Sequence, residues 1–184
     1  MKPRAHAAPI FKHMSDRRYI FVSRPTRIGE VFERAYGSFH AFLHQEGFVA
    51  RRLGESDYSR KAPLRAVIDI IDECCGAVVL GYPQMEFHHE VRRSAEVQDT
   101  TGYVFPTPWN QIEGALAYRA RTPVLVVAHS GISGGVFDHG VTGEGVLHVD
   151  LSQPDWFQQP FFSQPYAEWR ADVHGCLQKP IAAA

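Results

Sequence analysis

Two apolar runs limit what this chain can become. Ala77-Val78-Val79-Leu80 and Val124-Leu125-Val126-Val127-Ala128 contain no polar residue and are strand-sized. A strand that is apolar at consecutive positions buries both of its faces, the habit of a parallel sheet covered by helices on both sides. A half-solvated antiparallel sheet would alternate instead. Neither run approaches the ~20 residues of a membrane span. The chain has 184 residues, which suits one domain able to bury a core without disulfides.

The remaining elements fall between turn signals. Tyr19-Ile20-Phe21-Val22 reads as the opening strand, closed by Ser23-Arg24-Pro25. Ile28, Val31, Phe32, Ala35, Phe39, Phe42 and Leu43 recur at helical spacing, and Gly47 suits the C-terminal cap. Phe48-Val49-Ala50 is a second strand, and Leu64, Val67, Ile68 and Ile71 form the stripe of a second helix. Ala77–Leu80 is the third strand. The connection from Gly81 to Thr107 is long, polar and charged, with room for a short helix. Residues 109–121 read as a third helix with Ile112, Leu116 and Ala120 on one face. Pro123–Ala128 and Val146–Val149 are strands four and five, joined by a glycine-rich loop. Residues 156–177 are aromatic and helical in their later part.

Strands alternating with helices argue a parallel sheet with helices on both faces, and right-handed crossovers leave few topologies; of these a flavodoxin-like three-layer sandwich with a five-stranded parallel sheet in the order 2-1-3-4-5 is expected. Residues 18–178 form this single domain, after a flexible lead-in at 1–17 and before a tail at 179–184. Ligands of such sheets bind beyond the carboxyl ends of the strands, where the strand order reverses. That rule selects Ser23–Arg27, Gly81–Pro83, Thr107–Glu113 and the segment from His129 onward.

The charge balance is split. Residues 1–65 carry 13 Lys/Arg and 6 Asp/Glu; the rest carry 6 and 14. The two parts can pair across the fold, or the basic part can rim a site for a phosphorylated ligand. No basic run exceeds two residues, so a nucleic-acid partner is not expected. The first twenty residues lack an apolar stretch, and three cysteines make a poor disulfide framework, so a cytoplasmic protein with no membrane partner is expected.

In the first loop, Ser23, Arg24, Pro25 and Arg27 offer a hydroxyl, two guanidiniums and a helix start, the parts of a phosphate site. They also suit an ordinary helix start with solvated arginines. In the third helix, Trp109 offers a wall for a base, and Asn110 a donor and an acceptor for a ribose. Glu113, in the first two turns and ionised beside the positive helix end, can stabilise an oxocarbenium-like transition state or attack C1′. Asn110-x-x-Glu113 reads equally as a capping box. Tyr82 follows the third strand and can hold a base. His129 follows the fourth and can be a general acid or a phosphate contact. His88-His89-Glu90 is adjacent in sequence without a second ligand pair, so no metal is expected.

The stretch from Pro108 to Val127 resembles the TIR domain, in which a tryptophan lies four residues before the catalytic glutamate, followed by a helix and a Pro-led strand. It is similar also to the nucleoside 2-deoxyribosyltransferase superfamily, in which a glutamate opens the corresponding helix. Tyr19-Ile20-Phe21-Val22-Ser23 matches the TIR first strand, and the order of elements agrees over residues 19–150. The Gly81–Thr107 connection is longer than a TIR loop at that point. Tyr82-Pro83-Gln84 stands where the transferases place an aspartate.

The resemblance implies that Glu113 is catalytic and that the first loop contacts a nucleotide. It implies cleavage or exchange of an N-glycosidic bond, foremost in NAD, which is then a substrate and not a cofactor. A nucleoside or nucleoside monophosphate is the alternative substrate, and a non-catalytic nucleotide-sensing or assembly module the alternative role. A homo-oligomer or a defence-system partner protein, as in bacterial antiphage defence, belongs to the same expectation.

Overall fold

The computed structural model describes residues 18–87, 90–93, 96–99, 103–142 and 145–177. The expected lead-in, the tail and His88-His89 lie outside the described residues. Five strands form the central sheet: β1 (Arg18–Ser23), β2 (Phe48–Arg51), β3 (Gly76–Gly81), β8 (Val124–His129) and β9 (Val146–Val149). Their order is β2-β1-β3-β8-β9 and every adjacent pair is parallel. Numbered by the sheet's own strands this is 2-1-3-4-5, so the order reverses between β1 and β3, as expected.

The two apolar runs are the middle of the sheet. β3 is buried at every residue and β8 at all but its last, because helices cover both faces. On one face Val22, Val78, Leu80 and Val127 pack with α1 (Glu30–Gln45) and α4 (Pro160–Leu177). On the other, Phe21, Ala77, Val79 and Val126 pack with α2 (Pro63–Asp72) and α3 (Pro108–Arg119). α1 buries Ala35, Tyr36, Phe39 and Leu43 at three- and four-residue spacing. Gly47 then turns the chain into β2 with φ of 82°, a left-handed conformation that glycine adopts without strain. Gly76 has a different task. A Cβ there would stand 2.6 Å from Val173 of α4, so its absence lets that helix reach the sheet. Among the described residues no helix is long and apolar enough to cross a membrane.

Two expectations give way. The connection after β3 holds four short strands and no helix among the described residues. β4 (Met85–Phe87) pairs with β7 (Tyr103–Phe105), and inside that ribbon β5 (Glu90–Arg93) pairs with β6 (Glu96–Asp99), both antiparallel. Its base is tied to the body by a bridge between Val104 and Ile132. The buried residues of α3 are Asn110, Gly114 and Ala117; of the expected stripe, Leu116 is half-buried against the core, while Ile112 and Ala120 are exposed. Ile112 is 41% exposed. Small residues let the helix axis approach the sheet and the loop after β8: a Cβ on Gly114 would already lie 3.2 Å from Val136.

Candidate functional site

The site begins where β1 ends. Ser23 is fully buried, and its hydroxyl donates a 2.6 Å hydrogen bond to Oε2 of Glu113. Glu113 reaches it because α3 starts just beyond the carboxyl edge of the sheet. Thr107 caps that helix, its Oγ1 accepting from the Asn110 N–H at 3.3 Å, and Pro108 occupies the first turn. The Asn110-x-x-Glu113 capping box is therefore absent. The cap lies three residues earlier, and Glu113 turns inward to β1.

Asn110 is fully buried, with its amide engaged at both ends. Nδ2 donates to Ser23 Oγ at 2.9 Å and to the Leu80 carbonyl at 3.4 Å, while Oδ1 accepts from Thr107 Oγ1 at 2.9 Å. Ser23, expected to touch phosphate, instead donates to the carboxylate, and Asn110, expected to touch ribose, donates to Ser23.

The charge on Glu113 is set by competing effects. Burial pushes its carboxyl pKa above the ordinary glutamate value; the Ser23 hydroxyl and the Arg52 guanidinium pull the other way. The helix dipole alone does not describe this group. A carboxylate with one oxygen tethered and the surrounding water reduced suits electrostatic stabilisation of positive charge.

Around it, Trp109 is 44% exposed on the first turn of α3, so its ring is open to a ligand. Arg27 is exposed. Pro25 is buried and shapes the loop. Arg24 is drawn inward, its side chain 6% exposed, with Nη1 on Glu33 at 3.2 Å, Nη2 on Glu55 at 3.4 Å and the guanidinium 4.1 Å from the Tyr36 ring centroid. That is the position of a structural ion pair and not of a solvated phosphate contact. Tyr82 is also inside: it is fully buried and meets Phe32 edge-on at 5.6 Å, so the base-holding place expected for it is closed.

His129 stands at the carboxyl end of β8, edge-on to Phe32 at 5.2 Å. Its Nδ1 accepts from the Leu151 N–H at 3.2 Å, which leaves the ring proton on Nε2. Asp150 lies 3.6 Å from Nδ1, and burial lowers the imidazole pKa against that attraction. The neutral ring can therefore donate one hydrogen bond from Nε2.

Three residues at this edge carry no obvious sequence signal. Phe32 lies between Tyr82 and His129. Arg52 supplies positive potential to Glu113 while its Nη2 donates to the Arg24 carbonyl at 3.3 Å. Gln111 pins the glycine-rich loop: Nε2 donates to the Gly134 carbonyl at 3.0 Å, and Oε1 accepts from the Val136 N–H at 2.9 Å. Thr107 had a signal, since Thr-Pro before a helix places the cap and the first turn. The groove between α1 and α4, lined by Phe42, Phe157, Tyr166 and Arg170, lies on the other layer of the sandwich.

Fold and site together define an α/β domain of flavodoxin-like topology with a hydroxyl-tethered carboxylate at the carboxyl edge of its sheet. No protein-family model matches the sequence, and no curated protein matches it. Among solved structures, the chain is similar to the CMP N-glycosidase BcmB of Clostridium botulinum, with 12% identity, a TM-score of 0.47, and coverage of 78% of this chain and 97% of that one.

Proposed function

We propose that this domain cleaves the N-glycosidic bond of a nucleotide, with Glu113 as the catalytic carboxylate. The observation that carries the reading is the 2.6 Å bond from the buried Ser23 hydroxyl to Glu113 Oε2, at the strand ends where parallel sheets bind ligands. Thr107 caps α3, and Glu113, the sixth residue of the helix, turns its buried carboxyl to β1 at a burial cost that raises its pKa.

In the proposed reaction the bond from C1′ to the base nitrogen breaks and its electron pair leaves with the base. Positive charge spreads over C1′ and the ring oxygen of the ribose. Glu113 meets that charge with its second oxygen while water adds to C1′, or bonds to C1′ until water replaces it; the water gives up one proton, to solvent when neutral nicotinamide leaves or, in net, to the base of a nucleoside monophosphate. Trp109 stacks on the base. Arg27 and the Nε2–H of His129 are the groups left to meet phosphate or ribose oxygens. NAD is the substrate put first by the resemblance to TIR domains; its nicotinamide is a cation that departs neutral, so it needs no proton donor. A nucleoside monophosphate is second, and its base needs a proton on leaving. In a TIR-like setting the chain would act in a homo-oligomer or with a defence partner protein.

The purified protein is incubated with NAD and with nucleoside monophosphates including CMP, and products are resolved by chromatography. Free nicotinamide or free nucleobase is expected, and none with Glu113→Gln. Binding without base release from any nucleotide would leave a sensor in place of an enzyme.

A further inference from the structure

Four residues from three parts of the chain are joined in one line of hydrogen bonds, and one backbone group fixes the direction of all of them. The Leu80 carbonyl on β3 can only accept. The nitrogen of the Asn110 amide must therefore face it, at 3.4 Å, and the Asn110 oxygen must face Thr107. The same nitrogen also donates to Ser23 Oγ at 2.9 Å. Ser23 Oγ, already accepting there, cannot send its proton back to Asn110. Its one proton goes to Glu113 Oε2 at 2.6 Å. Asn110 and Ser23 are fully buried, so water does not compete for these positions.

We infer that Asn110 is a positioning residue that acts through Ser23: anchored by the Leu80 carbonyl, it makes the Ser23 hydroxyl a one-way donor to Oε2 of Glu113 and leaves Oε1 as the oxygen presented to substrate. The inference rests on the catalytic reading of Glu113. The relay itself is a matter of proton placement and can be tested apart from turnover. With Asn110 removed, the Ser23 hydroxyl is free to rotate and the carboxylate loses its fixed donor. A carboxylate that loses a donor becomes easier to protonate.

The test uses the full chain labelled at the glutamate carboxyl carbons, with Glu113 assigned by its loss in Glu113→Gln. The Glu113 titration midpoint is followed by NMR in the wild type, Asn110→Ala, Ser23→Ala and the double variant. Each single variant is expected to raise the midpoint by about one pH unit. The double variant is expected to match Ser23→Ala, because Asn110 works only through Ser23. In the wild type, which needs no substitution, the Asn110 Nδ2 resonance is expected to move with the Glu113 midpoint. The acid limb of kcat/KM for base release is expected to move with the NMR midpoint. A midpoint unchanged in Asn110→Ala, or an added shift in the double variant, would overturn the relay. A shifted midpoint beside an unshifted acid limb would support the relay and overturn the catalytic reading of Glu113.

Discussion

Ser23 and Glu113 are 90 positions apart in the chain and joined by a 2.6 Å hydrogen bond. One residue ends the first strand of the sheet and the other lies in the second turn of α3. Their meeting follows from topology. β1 and β3 are neighbours, and α3, which leads into β8, starts above their carboxyl ends.

The buried carboxyl makes stability depend on pH in a known direction. Its folded pKa is raised from about 4.5, so the folded protein holds that proton more tightly than the unfolded chain does. The stabilisation is complete below the ordinary glutamate range and is lost as pH rises through the raised value. Glu113→Gln stays neutral throughout, and its amide oxygen still accepts from Ser23. At pH 7 the variant is expected to melt at or above the wild-type temperature, with the difference shrinking towards pH 4. Thermal unfolding across that range measures it. A variant whose deficit grows as pH rises would make the carboxylate a structural anchor.

Trp109 is expected to matter for binding more than for folding. It is 44% exposed, so truncation to Ala removes little core contact. Loss of a stacked base costs about 1–3 kcal/mol of affinity, whereas a core tryptophan costs about 3–5 kcal/mol of stability. Nucleotide titration beside thermal unfolding separates the two. Normal affinity in a strongly destabilised Trp109→Ala would refute the stacking role.

The two arginines of the first loop are expected to behave differently. Arg24→Ala removes a buried stem, its contact with Tyr36 and the partner of Glu33 and Glu55, and should cost about 1–3 kcal/mol of stability. Arg27→Ala, at an exposed position, should change stability by less than about 0.5 kcal/mol. If Arg27 meets substrate phosphate, its removal raises KM and weakens the salt dependence of KM. Equal stability losses in the two variants would contradict this division.

The fold was legible where hydrophobicity alone decides. Ala77–Leu80 and Val124–Ala128 read as strands from their apolar runs alone, and right-handed crossovers left few strand orders, of which the flavodoxin-like one is found. The ribbon at β4–β7 was not legible, because Glu90-Val91-Arg92-Arg93 shows no apolar alternation and its pairing is between backbones. α3 misled because its buried face uses small residues. Gly114 and Ala117 pack closely, whereas the more apolar Ile112 is exposed. At the site, Glu113 and Trp109 stand where the sequence placed them relative to the sheet edge. Asn110 and Ser23 belong to the same cluster, but Ser23 donates to the carboxylate and Asn110 to Ser23 and the Leu80 carbonyl, contacts that no side-chain pattern announces. Arg24 and Tyr82 turned inward because Glu33, Glu55 and Phe32 wait there, contacts from elements distant in sequence.

The most direct test of the catalytic role is the rate of base release by wild type and Glu113→Gln on the nucleotide that the product survey identifies. Both proteins are first compared by circular dichroism, and Glu113→Gln must melt no lower than the wild type, so that a fold defect cannot pass for a chemical one. With the carboxylate gone, the rate is expected to fall by at least about 10³-fold while nucleotide affinity stays within a few fold. Base release by Glu113→Gln at the wild-type rate would show that the carboxylate held by Ser23 takes no part in the chemistry.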